Sequence, residues 1–170
     1  MTALHYRSLT ELAAKIRRKE LTPQEVVEHH LRRIEMLQPQ LNAFVEVDAD
    51  GARRQAHWAG EALLRGEALG PLGGVPVTVK SSLDVAGWPC AAGSLLRKDN
   101  RPGSDAALVK RLRAAGAVLL GNTATAEFLM AYETDNRLTG KTSNPWNSDF
   151  SAGGSSGGDR CGVERGWRGQ

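Results

Sequence analysis

The sequence predicts an α/β fold, and three observations carry that reading. The β-branched run Val75-Pro76-Val77-Thr78-Val79 follows a Gly73-Gly74 turn, which marks a short buried strand. Ala106, Leu108, Val109, Leu112 and Ala115 recur at helical spacing before Gly116, and the apolar run Ala117-Val118-Leu119-Leu120 follows at once. Strand, helix and strand in that order build a parallel pair, because the crossover between them has a fixed hand. The third observation is a change of texture: residues 1–69 carry helical stripes, and residues 70–158 carry strands, glycines and a long polar loop.

Taken in order, Ser8-Leu9-Thr10-Glu11 fits a capping box, with Glu11 returning to the backbone N–H of Ser8. Leu9, Leu12, Ala13 and Ile16 then repeat at helical spacing. Thr22-Pro23-Gln24-Glu25 opens a second helix: a capping hydroxyl, Pro at the first helical position and an acid in the first turn. Val26, Val27, Leu31, Ile34 and Leu37 form its apolar stripe, and Pro39 is expected to end it. Leu41-Asn42-Ala43-Phe44-Val45 reads as a short extended segment. A third helix covers residues 49–64 and stops at Arg65-Gly66. Residues 1–69 are thus a helical layer without visible chemistry, and 70–158 an α/β core. From Leu138 to Gly158 the chain is rich in Gly, Ser, Asn and Pro, and a loop of that length is usually functional or disordered.

Hydrophobic residues are 41% and charged residues 24% of the 170 positions, which suits one globular domain with a real core and excludes a disordered tail. The net charge is +3, and the basic residues (Arg17, Arg18, Lys19; Arg32, Arg33; Lys110, Arg111, Arg113) are diluted along helical stretches. No aromatic–basic strip accompanies them, so they read as solvated helix faces and nucleic acid is not an expected partner. No apolar run reaches the ~18–20 residues that cross a bilayer, and residues 1–18 lack the apolar stretch of a signal peptide. Cys90 and Cys161, without C-x-x-C spacing, suit a reduced cytoplasmic protein. His5, His29, His30 and His57 lack metal-ligand spacing, and no metal, cofactor or membrane partner is expected.

Two segments hold the candidate chemistry. Lys80 follows the first strand directly; a lysine buried at a strand end loses proton affinity and can act as a neutral base, although it can equally snorkel to water. Gly153-Gly154-Ser155-Ser156-Gly157-Gly158 can be a flexible linker, a phosphate cradle, or a turn that seats a serine in an unusual conformation. Gly140-Lys141-Thr142 looks like the end of a phosphate-binding loop, but Asp135 stands where that motif needs Gly.

The segments occur together and in order. Gly70-Pro71-Leu72-Gly73-Gly74-Val75-Pro76-Val77-Thr78-Val79-Lys80, then Asp84-Val85-Ala86-Gly87 and Ala92-Gly93-Ser94, then residues 106–109, 116–123 and Glu127-Phe128, then Thr142-Ser143-Asn144-Pro145-Trp146 and the glycine–serine turn, resemble the amidase signature family. The resemblance runs through most of residues 8–158. This family is related to the A subunit of glutamyl-tRNA amidotransferase, some of its members work as subunits of larger amidotransferase complexes, and it cleaves amide bonds with a Ser–cis-Ser–Lys triad. The resemblance implies a mixed sheet flanked by helices on both faces, of which this chain is the N-terminal part. It implies that Lys80 is the ultimate base and Ser155 the bridging serine in a cis peptide, with Gly153, Gly154, Ser156 and Gly157 forming the supporting turn. Asn122, Thr123 and Glu127 are expected near the site. The implied substrate is a small-molecule amide, and a homodimer or an amidotransferase-type partner is left open. The other class of reading is a non-catalytic assembly or binding component of such a complex.

The chain departs from the family pattern twice. Ser81-Ser82 stand after the lysine, where the family usually has an acid or Asn. No serine follows Ser156, so the family's nucleophile, held in a Gly-Gly-Ser-Ile-Arg-like segment, is absent, and the chain alone is expected to be inactive. Residues 159–170 carry three glycines, alternating charges and little apolar periodicity, which makes a poor helix where the family has an Ala-rich one. Read one base later, the degenerate codons from Asp159 accommodate that Ala-rich continuation. A frameshift near codon 158 is therefore expected, with a short paralogue or a deliberate truncation as the alternative.

Overall fold

The computed structural model of the chain describes residues 4–165. Residues 1–3 and 166–170, and with them the end of the 159–170 tail, lie outside the described residues. The elements are α1 (Leu9–Arg17), α2 (Pro23–Leu41), β1 (Phe44–Val47), α3 (Ala49–Leu64), β2 (Pro76–Lys80), α4 (Ala107–Ala114), β3 (Val118–Thr123) and α5 (Gly157–Arg165). Short 3-10 turns occur at Leu4–Tyr6, Leu95–Arg97 and Glu127–Leu129.

The capping box at Ser8 forms as the sequence predicts, and the Thr22 hydroxyl cap expected at the second helix proves to be a full capping box as well. Glu11 N donates to Ser8 Oγ (3.2 Å) and Ser8 N to Glu11 Oε2 (3.1 Å). Glu25 N donates to Thr22 Oγ1 (3.1 Å) and Thr22 N to Glu25 Oε2 (2.9 Å). Each such cap is worth about 1 kcal/mol.

Pro39, however, does not end α2, which runs on to Leu41. The proline has no N–H to give to Glu35 O, so the ladder lacks one bond there, and only two further residues follow before the helix closes. Asn42 closes the helix in the left-handed conformation (φ 49°), with its N–H on Gln38 O at 2.8 Å. The Gln38 side chain then accepts from Ala43 N (3.0 Å) and Phe44 N (2.9 Å), which carries the exit straight into β1. The extended segment accordingly begins at Phe44, and residues 1–69 contain a strand as well as helices.

The described sheet has the order β1-β3-β2, with β1 antiparallel and β2 parallel to β3. The parallel pair is the strand–helix–strand unit read from the sequence. Central β3 is buried at all six positions and extends past Leu120 to Thr123. Val118 and Leu120 pack on Val27, Leu31 and Ile34 of α2 and on Ala52 and Ala56 of α3. On the opposite face, Leu119 and Val79 pack with Val109 of α4, Val85 and Trp88. Leu12, Ala13 and Ile16 of α1 join Val26 and Val75 in a separate cluster. The fold is a mixed α/β sheet with helices on both faces. No helix among the described residues is long and apolar enough to cross a membrane.

The poor helical character of the tail is overridden as far as Arg165. Its first turn is held by tertiary bonds: Gly157 N donates to Thr134 Oγ1 (2.8 Å) and Gly158 N to Ala124 O (3.3 Å). Cys161 is fully buried in the cluster with Val118 and Leu120. Packing, rather than intrinsic propensity, makes this helix.

Candidate active site

Side chains alternate along β2, so Val77 and Val79 face α4 while Thr78 and Lys80 face the side of the sheet that α5 covers. Lys80 is the last residue of the strand rather than the first beyond it, and its register partner on β3 is Thr123. The residue is half-buried. Burial lowers its proton affinity below that of an ordinary lysine, and the Asp159 charge works in the opposite direction. Lys80 Nζ donates to Ser155 Oγ and to Ser156 Oγ, each at 2.8 Å.

The turn that brings both serines to Lys80 has a cis peptide between Gly154 and Ser155. Gly153 sits at φ +79°, a conformation that side chains resist. Gly154 is pressed against the chain at 131–133: a Cβ there would lie 2.5 Å from Ala131 O and 2.7 Å from Glu133 N. Backbone and hydroxyl groups fix the turn from outside. Thr125 Oγ1 (2.7 Å) and Ala126 N (3.2 Å) donate to Ser155 O, and Thr134 Oγ1 donates to Gly153 O (2.8 Å). Asn136 Nδ2 donates in turn to Thr125 O (2.8 Å). The linker reading of the glycine–serine segment does not fit this density of bonds.

Asp159, in the first turn of α5, accepts from Thr78 Oγ1 and from Thr123 Oγ1 on the same oxygen, each at 3.1 Å. The arrangement places a partly desolvated amine against two serine hydroxyls, with a carboxylate behind it. Such a group can relay a proton between an amine and a hydroxyl.

The structure thus brings together Lys80, Ser155 and Ser156, with Gly153, Gly154 and Gly157 in the supporting turn. Thr123 borders the site through Asp159. Asn122 is turned away and donates to Pro89 O, and Glu127 is exposed. Ser81 is buried with no hydrogen-bond partner for its hydroxyl. Lys141 donates to Ser148 O (3.0 Å) and Thr142 to Asn42 O (2.8 Å), so neither faces a phosphate-binding loop. No cluster of three or more His, Cys, Asp or Glu among the described residues is arranged to hold a metal. Thr78, Thr125, Thr134, Asn136 and Asp159 were silent in the sequence. Of these, Thr78 alone carries a signal that could be used, a hydroxyl between Val77 and Val79 in the strand that ends at Lys80.

Comparison with known proteins matches residues 25–161 to the family described as Amidase. The A-type subunit of the glutamyl-tRNA(Gln) amidotransferase of Acidothermus cellulolyticus is 42% identical over 163 residues, covering 96% of this chain and 32% of that protein. Among solved structures, a bacterial aryl acylamidase of the amidase signature enzymes superimposes with a TM-score of 0.91 at 35% identity, over 97% of this chain and 34% of that one. Fatty acid amide hydrolase gives a TM-score of 0.93 at 30% identity, over 97% of this chain and 29% of that one. The chain spans about a third of the length of the proteins it matches.

Proposed function

Because the chain belongs to the amidase family, we propose that Lys80 and Ser155 are the base and the bridging serine of a site that hydrolyses carbon–nitrogen bonds of small amides. The observation that carries this reading is the 2.8 Å contact between Lys80 Nζ and Ser155 Oγ. Neutral Lys80 has one lone pair and two N–H bonds. The lone pair takes the proton of Ser155 while an N–H still donates to Ser156. Ser155 is thereby free to draw a proton from a nucleophilic serine, whose oxygen attacks the amide carbonyl. The amine leaves with a proton returned along the same path, and water hydrolyses the acyl-enzyme. The lowered proton affinity of Lys80 supports a neutral amine, since an ammonium has no lone pair to offer.

Residues 157–170 hold no serine, and a site without a nucleophilic serine is expected not to turn over amides. The test is a chimera in which residues 4–161, which take in Asp159 and run to the end of the family match, replace the corresponding third of an active aryl acylamidase. The chimera is expected to release amine from an aryl amide, and Lys80→Ala and Ser155→Ala are each expected to lower kcat by about 10²–10⁴-fold. Turnover that survives Lys80→Ala defeats the assignment. Lys80-dependent hydrolysis by the purified 170-residue chain defeats the claim that it is inactive alone.

The amidotransferase components among the relatives favour a second reading, in which the chain serves an assembly or binding role in an amidotransferase-like complex. A stable partner that co-purifies with the chain supports it, and a chain that elutes alone at physiological salt removes it.

A further inference from the structure

We propose that Asp159 is the positioning residue of the Lys80–Ser155 pair, its carboxylate bridging β2 and β3 from the first turn of α5 and so fixing how far the serine turn stands from the lysine. The inference rests on the reading of Lys80 as the base. Its geometric support lies in one atom. Asp159 Oδ1 accepts from Thr78 on β2 and from Thr123 on β3, both at 3.1 Å, and both threonines are buried. Thr78 lies two positions before Lys80 on the same face of the strand, and Thr123 is the register partner of Lys80. Asp159 lies in the first turn of α5, four positions after Ser155, which stands in the turn before the helix, and Arg160 N donates to Ser156 O at 2.9 Å.

The clamp thus holds both ends of the short path from strand to serine. A carboxylate suits the place better than a neutral group. Ionised, it accepts from two hydroxyls without offering a hydrogen in return. Negative charge is also favoured in the first turn of a helix. The same charge supports the protonated form of Lys80 against the burial that opposes it, so Asp159 both sets the distance and moderates the base.

A purely structural role for Asp159 would move stability and leave the lysine's titration where it was. The experiment is therefore an NMR titration of the 170-residue protein labelled at lysine Cε, with the Lys80 signal identified by Lys80→Arg. Asp159→Asn is expected to shift the Lys80 midpoint to lower pH than in the parent. Identical midpoints overturn the proposal. Thr78→Val with Thr123→Val removes both donors and leaves the carboxylate in the chain, which guards against a variant at Asp159 that fails to fold. In that double variant the proton–proton cross-peak between Lys80 Cε and Ser155 Cβ hydrogens is expected to weaken at least twofold. A cross-peak of parental intensity overturns the clamp. Neither readout uses substrate, so failure of the chimera to hydrolyse amides would remove the base role of Lys80 without touching these results.

Discussion

The hydroxyl of Thr125 donates to the main-chain carbonyl of Ser155 at 2.7 Å. The loop after β3 therefore grips the backbone of the residue whose side chain meets Lys80. Thr125 is buried, and its replacement by Val keeps the volume while removing the donor. Ser155 O retains only the longer bond from Ala126 N. Thr125→Val is expected to cost about 1 kcal/mol of stability, read as a lower urea midpoint at unchanged slope. A midpoint equal to that of the parent would show that Ala126 alone suffices.

The contact surface of Gly154 predicts a larger loss. The atoms that a Cβ would meet there, Ala131 O, Glu133 N and Tyr132 C, all belong to the backbone and cannot swing aside. Gly154→Ala is expected to destabilise by about 2 kcal/mol or more. Gly103, which faces open space, is the control, and Gly103→Ala is expected to stay within about 0.5 kcal/mol of the parent. Equal thermal midpoints for the two variants would refute the close approach.

His30 on α2 makes stability depend on pH. It is fully buried, its Nδ1–H donates to Val26 O at 2.7 Å, and its Nε2 has no partner. Burial chiefly, with His29, His5 and Arg33 nearby, lowers its pKa from 6.5 to about 4, against the Val26 bond that raises it. The unfolded chain therefore takes up a proton below pH 6.5 that the folded chain refuses. The contribution of neutral His30 is complete above pH 6.5 and is lost as pH falls toward 4, by about 3 kcal/mol in all. His30→Leu is expected to flatten that part of the stability–pH curve, and chemical denaturation at pH 7, 5.5 and 4.5 measures it.

Both thiols among the described residues are buried: Cys90 is 1% exposed and Cys161 0%. Burial, then the hydrogen bond and charge of Asp84, push Cys90 up to about 11, so little thiolate forms near neutrality. Iodoacetamide is expected to label neither at pH 7.5 until denaturant opens the fold. Rapid labelling of Cys161 in the native protein would show that α5 does not stay docked on Val118 and Leu120.

What the sequence made legible was local. The boxes at Ser8 and Thr22 close within three residues, and a glycine stop such as Gly66 or Gly116 acts on the turn before it. A breaker rule misplaces the end at Pro39 because it ignores the left-handed Asn42, whose backbone N–H bonds Gln38 O, and the Gln38 side chain, which takes up Ala43 N and Phe44 N. Asp159 was lost for a related reason: its threonine partners lie 81 and 36 positions away. The helix after Gly157 was equally hidden, since its support comes from Thr134 and Ala124 rather than from its own composition. Lys80 and Ser155 were found by resemblance. Spacing alone would have left the linker and the snorkelling lysine in play.

Thr142 Oγ1 donates to Asn42 O across 100 positions of sequence, and Lys80 reaches Ser155 across 75. A contact of that span is made only after a long loop has closed, and the entropy of closure is spent before the contact returns anything. The capped helices can form on their own residues. The lysine–serine pair needs the strands and the polar loop already in place, so its contact is expected to form late on the folding route.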